Sequence, residues 1–136
     1  MALTAERARA VVAAAEAKAT ELGVPVVVAV LDAGVHLKAF TRMDGAPLGS
    51  IDIAMKKART SALFGVASEA VWEYCKPGAP AHGLELSNGG LAPFGGGMPL
   101  GADGELAGAV GVSGGAVSQD LEIALAAAAA FTATNQ

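Results

Sequence analysis

Residues 25–31, Pro-Val-Val-Val-Ala-Val-Leu, constrain the fold more than any other stretch of this chain. They lack the apolar-polar alternation of a strand with one wet face, so they read as a strand covered on both sides. Asp32-Ala33-Gly34 then turns the chain directly into a second strand, Val35 to Arg42. A connection that short cannot join parallel neighbours, so the sheet starts antiparallel. On the second strand Val35, Leu37 and Ala39 share one face, and His36, Lys38, Phe40 and Arg42 share the other.

Helical periodicity surrounds this pair. Ala8, Val11, Val12, Ala15 and Ala19 keep helical spacing, with Thr4 as N-cap and Gly23 as the stop. Pro47 suits a first helical position, and Leu48, Ile51, Ala54, Met55, Ala58 and Ala62 continue to Gly65. Ser68 caps a shorter helix that ends near Tyr74, and Pro77 to Gly90 is a loop by composition. Short strands follow at Leu91–Phe94 and Met98–Leu100, and a hairpin turn at Asp103-Gly104 leads into Leu106–Val112. The last helix begins after Gly115, with Val117, Leu121, Ala124, Leu125, Ala128 and Phe131 on one stripe. The expectation is one α+β domain over residues 1–136, a five-stranded antiparallel sheet flanked by helices.

Charge and cysteine content narrow the partners. A net charge of −4 without a basic run offers nothing to nucleic acid or an anionic membrane. Met1 to Leu22 carries six charged side chains, Glu6, Arg7, Arg9, Glu16, Lys18 and Glu21, so it reads as neither signal peptide nor membrane span. Cys75 is the only cysteine, which leaves no intrachain disulfide and no thiolate metal cluster. A cytoplasmic location is the economical expectation.

Gly111-Val112-Ser113-Gly114-Gly115 matches the G-x-S-x-G elbow that presents a serine nucleophile in many hydrolases. That fold needs a histidine after the serine, and both His36 and His82 precede it. Glycines at a strand-to-helix junction also expose backbone N–H groups, which with the Ser113 hydroxyl suit a carboxylate or another anion. Gly95-Gly96-Gly97 adds a second stretch without side chains, so the two read either as the lining of a pocket or as packing and turn glycines.

Lys57 shares a helix flank with Ile53, Thr60, Ser61 and Phe64. It either extends its ammonium outward or points it into a partly apolar pocket, where it could pair a carboxylate or move a proton. Arg42 is a natural carboxylate fork or a salt-bridge partner of Asp44. His36 reads as a surface residue of the second strand, while His82 lies in a loop whose apolar content suggests that it covers something. The two histidines have no common helical spacing and no zincin partner, so no metal site is expected. A porphyrin iron would need one axial donor from His36, His82, Met43, Met98, Tyr74 or Cys75.

Three segments together resemble a known family: residues 26–58, residues 94–115, and Gln119-Asp120. They carry D-x-G, R-M-D-x-A, K-A, G-G-x-P and G-V-S-G-G in order, and they resemble the GlcG/HbpS-like family, whose relatives form the carboxy-terminal part of PduO-type cobalamin adenosyltransferases. The resemblance spans nearly the whole chain. It implies a profilin-like sandwich, homo-oligomers, and heme or corrinoid-related binding in some members. Arg42, Met43, Asp44 and Ala46 match R-M-D-x-A, and Lys57 and Ala58 match K-A. Gly96, Gly97 and Pro99 match G-G-x-P, and Ser113, Gly114, Gly115 and Asp120 match S-G-G with its following acid. His36 and His82 stand outside these positions.

Two readings follow. In the first the chain binds heme or a related tetrapyrrole, with His82 or His36 as candidate ligands to the iron. In the second it is a cofactor-free enzyme of lyase, isomerase or hydratase type acting on a small carboxylate or carbonyl compound. There Arg42, Met43, Asp44, Gly96, Gly97 and the Ser113–Gly115 amides hold substrate, and Lys57 or His82 moves a proton. A homo-oligomer is expected in either case.

Overall fold

A computed structural model describes residues 2–102 and 104–134. Helix α1 (Ala5–Leu22) begins where the Thr4 hydroxyl accepts the Arg7 N–H at 3.1 Å and ends at Gly23, whose φ of 72° is left-handed. Strands β1 (Val27–Asp32) and β2 (Leu37–Arg42) follow as an antiparallel pair. Next come α2 (Ser50–Phe64), α3 (Ser68–Cys75) and a single 3-10 turn at Leu84–Leu86. Strands β3 (Gly97–Ala102) and β4 (Glu105–Ser113) lead to α4 (Val117–Thr134). The expected turn at Asp103-Gly104 falls partly on Asp103, outside the described residues.

The sheet order is β2-β1-β4-β3, and every pairing is antiparallel. Central β1 is sealed on both faces, as its unbroken apolar run implies: Val26 to Leu31 are all fully buried. Val28, Val30, Val110 and Val112 meet α1 and α4 in the main core, which includes Val11, Ile123, Ala127 and Phe131. Val27 and Ala29 face α2 and pack with Ala54 and Ala46. Helix α2 can lie this close because Gly111 has no side chain. A Cβ there would collide with the Ala54 carbonyl, and with the Ala58 nitrogen at 2.6 Å.

Among the described residues the sheet has four strands, not five. The segment expected as a strand at Leu91–Phe94 is extended chain held by side chains and loop backbone rather than by a ladder. The Ala92 N–H donates to Thr60 Oγ1 at 3.0 Å, the Leu91 N–H donates to the Glu85 carbonyl at 2.8 Å, and the Phe94 carbonyl accepts from Ser68 Oγ at 2.6 Å. Pro93 has no N–H to offer. With these three backbone groups bonded outside the sheet, the segment does not join the ladder.

Two helix faces also differ from the sequence expectation. Leu48 is 69% exposed, and the buried face of α2 includes Ser50, Lys57, Thr60 and Ser61 beside its alanines. On α4 the buried positions are Asp120, Ile123, Ala124, Ala127 and Phe131, while Val117 and Leu125 are exposed. In both helices a polar side chain has an internal partner or a close-packed neighbour, and that turns the helix away from its most apolar face.

Candidate functional site

Lys57 is the largest fully buried side chain of the fold. Its Nζ donates to Asp120 Oδ2 at 3.1 Å and to the Val112 carbonyl at 2.8 Å, and it lies 5.0 Å from the centre of the Phe94 ring. Asp120 is equally enclosed, and its other oxygen, Oδ1, accepts the Gly115 N–H at 2.9 Å. One carboxylate thus joins α2, the end of β4 and the start of α4. Burial pushes the Lys57 ammonium below its ordinary value of 10.5, and the Asp120 charge opposes that shift.

The glycines around this pair make room for it. Gly96 has φ of 130°, and a Cβ there would stand 2.7 Å from Lys57 Nζ. Gly97 abuts the Lys57 carbonyl and Ser61, and its N–H donates to Ser68 Oγ at 2.9 Å. Gly114 has φ of 147°, and a Cβ there would lie 2.7 Å from the Pro25 carbonyl. Of the junction amides that the sequence offered to an external anion, that of Gly115 has a partner within the chain, as has the amide of Ala116 beside it. Asp120 takes Gly115, and Gln119 Oε1 accepts the Ala116 N–H at 2.9 Å, the reach-back half of a capping box.

Ser113 is buried and pairs with Val27, which on its other side pairs with Arg42. Arg42 and Ser113 therefore share one row at one end of the sheet, on the face toward α2. Lys57 reaches that end through Val112. Arg42 is exposed, Met43 packs partly into the main core, and Asp44 is exposed. His36 lies beyond the other end of β1, 81% exposed, with Nδ1 3.3 Å from Asp32 Oδ1. His82 is exposed in a turn after α3. Its loop does cover something: Leu84 packs against the small cluster of Val71, Cys75 and Leu91.

Across the Phe94 segment from Lys57 an open cleft of about 550 Å³ lies between α3, the 3-10 turn and the start of α4. Its walls are mostly apolar: Trp72 from α3, Pro93, Phe94 and Gly95 from the segment, and Val117 from α4. Glu69 and Glu85 complete the lining. One oxygen of each carboxylate, Glu69 Oε2 and Glu85 Oε1, is buried without a hydrogen-bond partner. Beside Glu85, burial pushes the Cys75 thiol above its ordinary 9.0, and the Glu85 charge adds to that rise.

Of the cleft residues only Gly95, in the Gly95-Gly96-Gly97 stretch, was offered by the sequence as pocket lining. The signals available in the sequence were the lone tryptophan and a glutamate inside a largely apolar loop. Asp120 was visible only as the acid after the second glycine pair.

A family model described as "Haem degrading protein HbpS-like" matches residues 3–129. The chain is 40% identical over 131 residues to the uncharacterized 15.0 kDa protein of the dhaT-dhaS intergenic region of Citrobacter freundii, covering 96% of this chain and 92% of that one. It is 42% identical over 119 residues to the corrinoid adenosyltransferase PduO of Salmonella typhimurium, covering 87% of this chain but only 35% of PduO. Among solved structures, that of a PduOC:heme complex superposes with a TM-score of 0.91 at 40% identity, covering 96% of this chain and 95% of that one.

Proposed function

The chain belongs to the HbpS-like family, and on that premise we propose that it binds heme or a related tetrapyrrole in the cleft walled by Trp72, Phe94 and Val117. The observation that carries the reading is the cleft itself. At about 550 Å³ it lies within the roughly 300–1,000 Å³ of small-molecule sites, and its lining is mostly apolar. A flat macrocycle covers two aromatic side chains at once, and each ångström squared of apolar surface removed from water contributes about 25 cal/mol. The heme complex of a 40% identical relative supports the choice of ligand class.

The apolar part of the lining, Trp72, Pro93, Phe94 and Val117, suits the flat face of such a ring. The residues lining the cleft include no Lys, Arg or His, so the acidic edge of a heme is best left in solvent. When bound, heme supplies a redox-active iron, and the chain's own residues hold the ring and exclude water from one face. Lys57 supports the wall from behind, its Nζ 5.0 Å from the centre of the Phe94 ring, and Asp120 holds Lys57 in place.

Trp72 is the only tryptophan, so its fluorescence reports on this cleft alone. Hemin titration is expected to shift the Soret band and quench Trp72 together, and Val117→Arg is expected to weaken both. Absence of both signals in the wild type overturns the reading. Hemin binding that Val117→Arg leaves unchanged removes the ligand from this cleft.

A further inference from the structure

Residues 66–90, which carry α3 and the 3-10 turn, leave the body of the fold after Gly65 and return to it at Leu91. Their apolar packing is their own. Val66, Val71, Cys75 and Leu84 close on Leu91 in a cluster that shares no member with the core on either face of the sheet. Backbone hydrogen bonds of the loop stay within the span, as from the Ala81 N–H to the Tyr74 carbonyl at 2.9 Å. Among the described residues one backbone bond crosses to the body, from the Leu91 N–H to the Glu85 carbonyl at 2.8 Å.

Both ends of the span turn through left-handed backbone. Gly65 has φ of 66°, and Asn88, Gly89 and Gly90 follow one another at 54°, 74° and 104°. A Cβ at Gly65 or Gly89 would meet nothing within 4 Å, so no neighbour clamps either position. Such glycines absorb a change of chain direction at little steric cost. The segment that follows is fixed to the body. Its Ala92 N–H donates to Thr60 of α2, and its Gly96 carbonyl accepts the Val112 N–H at 2.8 Å.

Ser68 ties the two parts together. It is fully buried at the start of α3, where its Oγ donates to the Phe94 carbonyl at 2.6 Å and accepts the Gly97 N–H at 2.9 Å. Among the described residues no other side chain of the span hydrogen-bonds to the body. The cleft lining divides along the same line. Glu69, Trp72 and Glu85 belong to the span, and Pro93, Phe94, Gly95 and Val117 belong to the body.

We infer that residues 66–90 form a lid on the cleft, latched by Ser68 and hinged at Gly65 and at Gly89-Gly90. A unit with its own small cluster and few bonds to its surroundings opens at lower free energy than the whole fold. Opening parts Trp72 from Phe94 and admits a ligand to the cleft, and the two bonds of Ser68 restore the wall behind it. The inference rests on this geometry and not on the identity of the ligand.

The chain carries its own reporter. Cys75 is the only cysteine and lies fully buried in the lid's cluster. In the free wild-type protein, its labelling by an aromatic disulfide reagent without denaturant is expected to run at least about tenfold faster than global unfolding allows, an opening about 1.4 kcal/mol or more below it. Urea unfolding supplies that reference. Peptide-level hydrogen exchange is expected to show residues 66–90 exchanging ahead of β1 and β4. Ser68→Ala is expected to speed both signals about tenfold, as for loss of a buried hydrogen bond, while β1 and β4 keep their protection. Labelling of wild type at the global rate overturns the inference, whether or not Ser68→Ala folds. Equal acceleration of β1 and β4 in Ser68→Ala also overturns it, because Ser68 then braces the whole fold. No hemin enters these measurements, so their failure leaves the heme reading standing, and failure of the heme reading leaves the lid standing.

Discussion

Lys57 Nζ stands 3.1 Å from Asp120 Oδ2 with both side chains withdrawn from solvent, their side-chain exposures being 1% and 3%. The pair connects α2 to α4 across the end of the sheet. Because Asp120 also accepts the Gly115 N–H, the same carboxylate anchors the glycine junction to the helix that follows it.

Removing one partner leaves the other charged, buried and unpaired, so Lys57→Met is expected to cost about 3–5 kcal/mol of stability. Asp120→Leu is expected to cost a similar amount. The double variant replaces both charges with apolar groups and is expected to be more stable than either single change. Urea unfolding of the four proteins measures the coupling, and strictly additive losses would exclude a direct pair.

Val35 adopts φ of 62° in the turn between β1 and β2, a left-handed conformation that a β-branched residue rarely takes. Asparagine tolerates that region, so Val35→Asn is expected to raise stability by about 1 kcal/mol. A drop in the unfolding midpoint would show that packing of the Val35 side chain outweighs its backbone strain.

How far the sequence discloses the molecule depends on which force sets each part. Thr4 and Gly23 mark α1 correctly because caps are local, and Val26–Leu31 declares a strand buried on both faces because its pattern is unbroken. Leu91–Phe94 reads as a strand by composition alone, and the side chains of Thr60 and Ser68 that satisfy its backbone are distant in sequence. The inward turn of Lys57 and the burial of Asp120 depend on each other, 63 positions apart, so neither is legible from its own helix. The cleft is hidden for the same reason. Trp72, Glu85, Phe94 and Val117 come from four separate segments.

Asp32 carries a pH dependence whose sign is fixed. The backbone N–H of His36 donates to its Oδ1 at 3.0 Å, and with the Gly34 N–H it holds the carboxyl below its ordinary 3.8. A group whose folded pKa is depressed stabilises the fold above its unfolded pKa, and that contribution is lost as pH falls through the folded one. The stability difference between wild type and Asp32→Ala is therefore expected to be constant near neutrality and to shrink below pH 3.8. Parallel stability curves through that acidic range would contradict it.

Edge strand β2 leaves Leu37 53% and Phe40 39% exposed. Apolar side chains on an unpaired edge are a liability unless another surface covers them. A homo-oligomer is the expected assembly, with Phe40→Glu shifting it toward single chains. Light scattering that gives the mass of one chain for the wild type at micromolar concentration would count against this.

Ser113 answers for the elbow motif. It lies at the end of β4 opposite Val27, whereas His36 lies past the other end of β1, about 16 Å away at the rise of a strand. The described structure places neither histidine as a base beside the hydroxyl. The glycines that follow serve close approach: Gly114 passes against Pro25 and Val26, and the Gly115 N–H is held by Asp120. Serine-directed acylating reagents are therefore expected to leave Ser113 unmodified, as read by mass spectrometry of the intact chain. Ser113→Ala is expected to leave hemin affinity unchanged, because Ser113 is not among the residues lining the cleft. Gly114→Val combines a forbidden φ with a collision against the Pro25 carbonyl, so its expected effect is a loss of stability of several kcal/mol. A stoichiometric adduct on Ser113 would restore the nucleophile and show that a base reaches it from a surface this fold does not present.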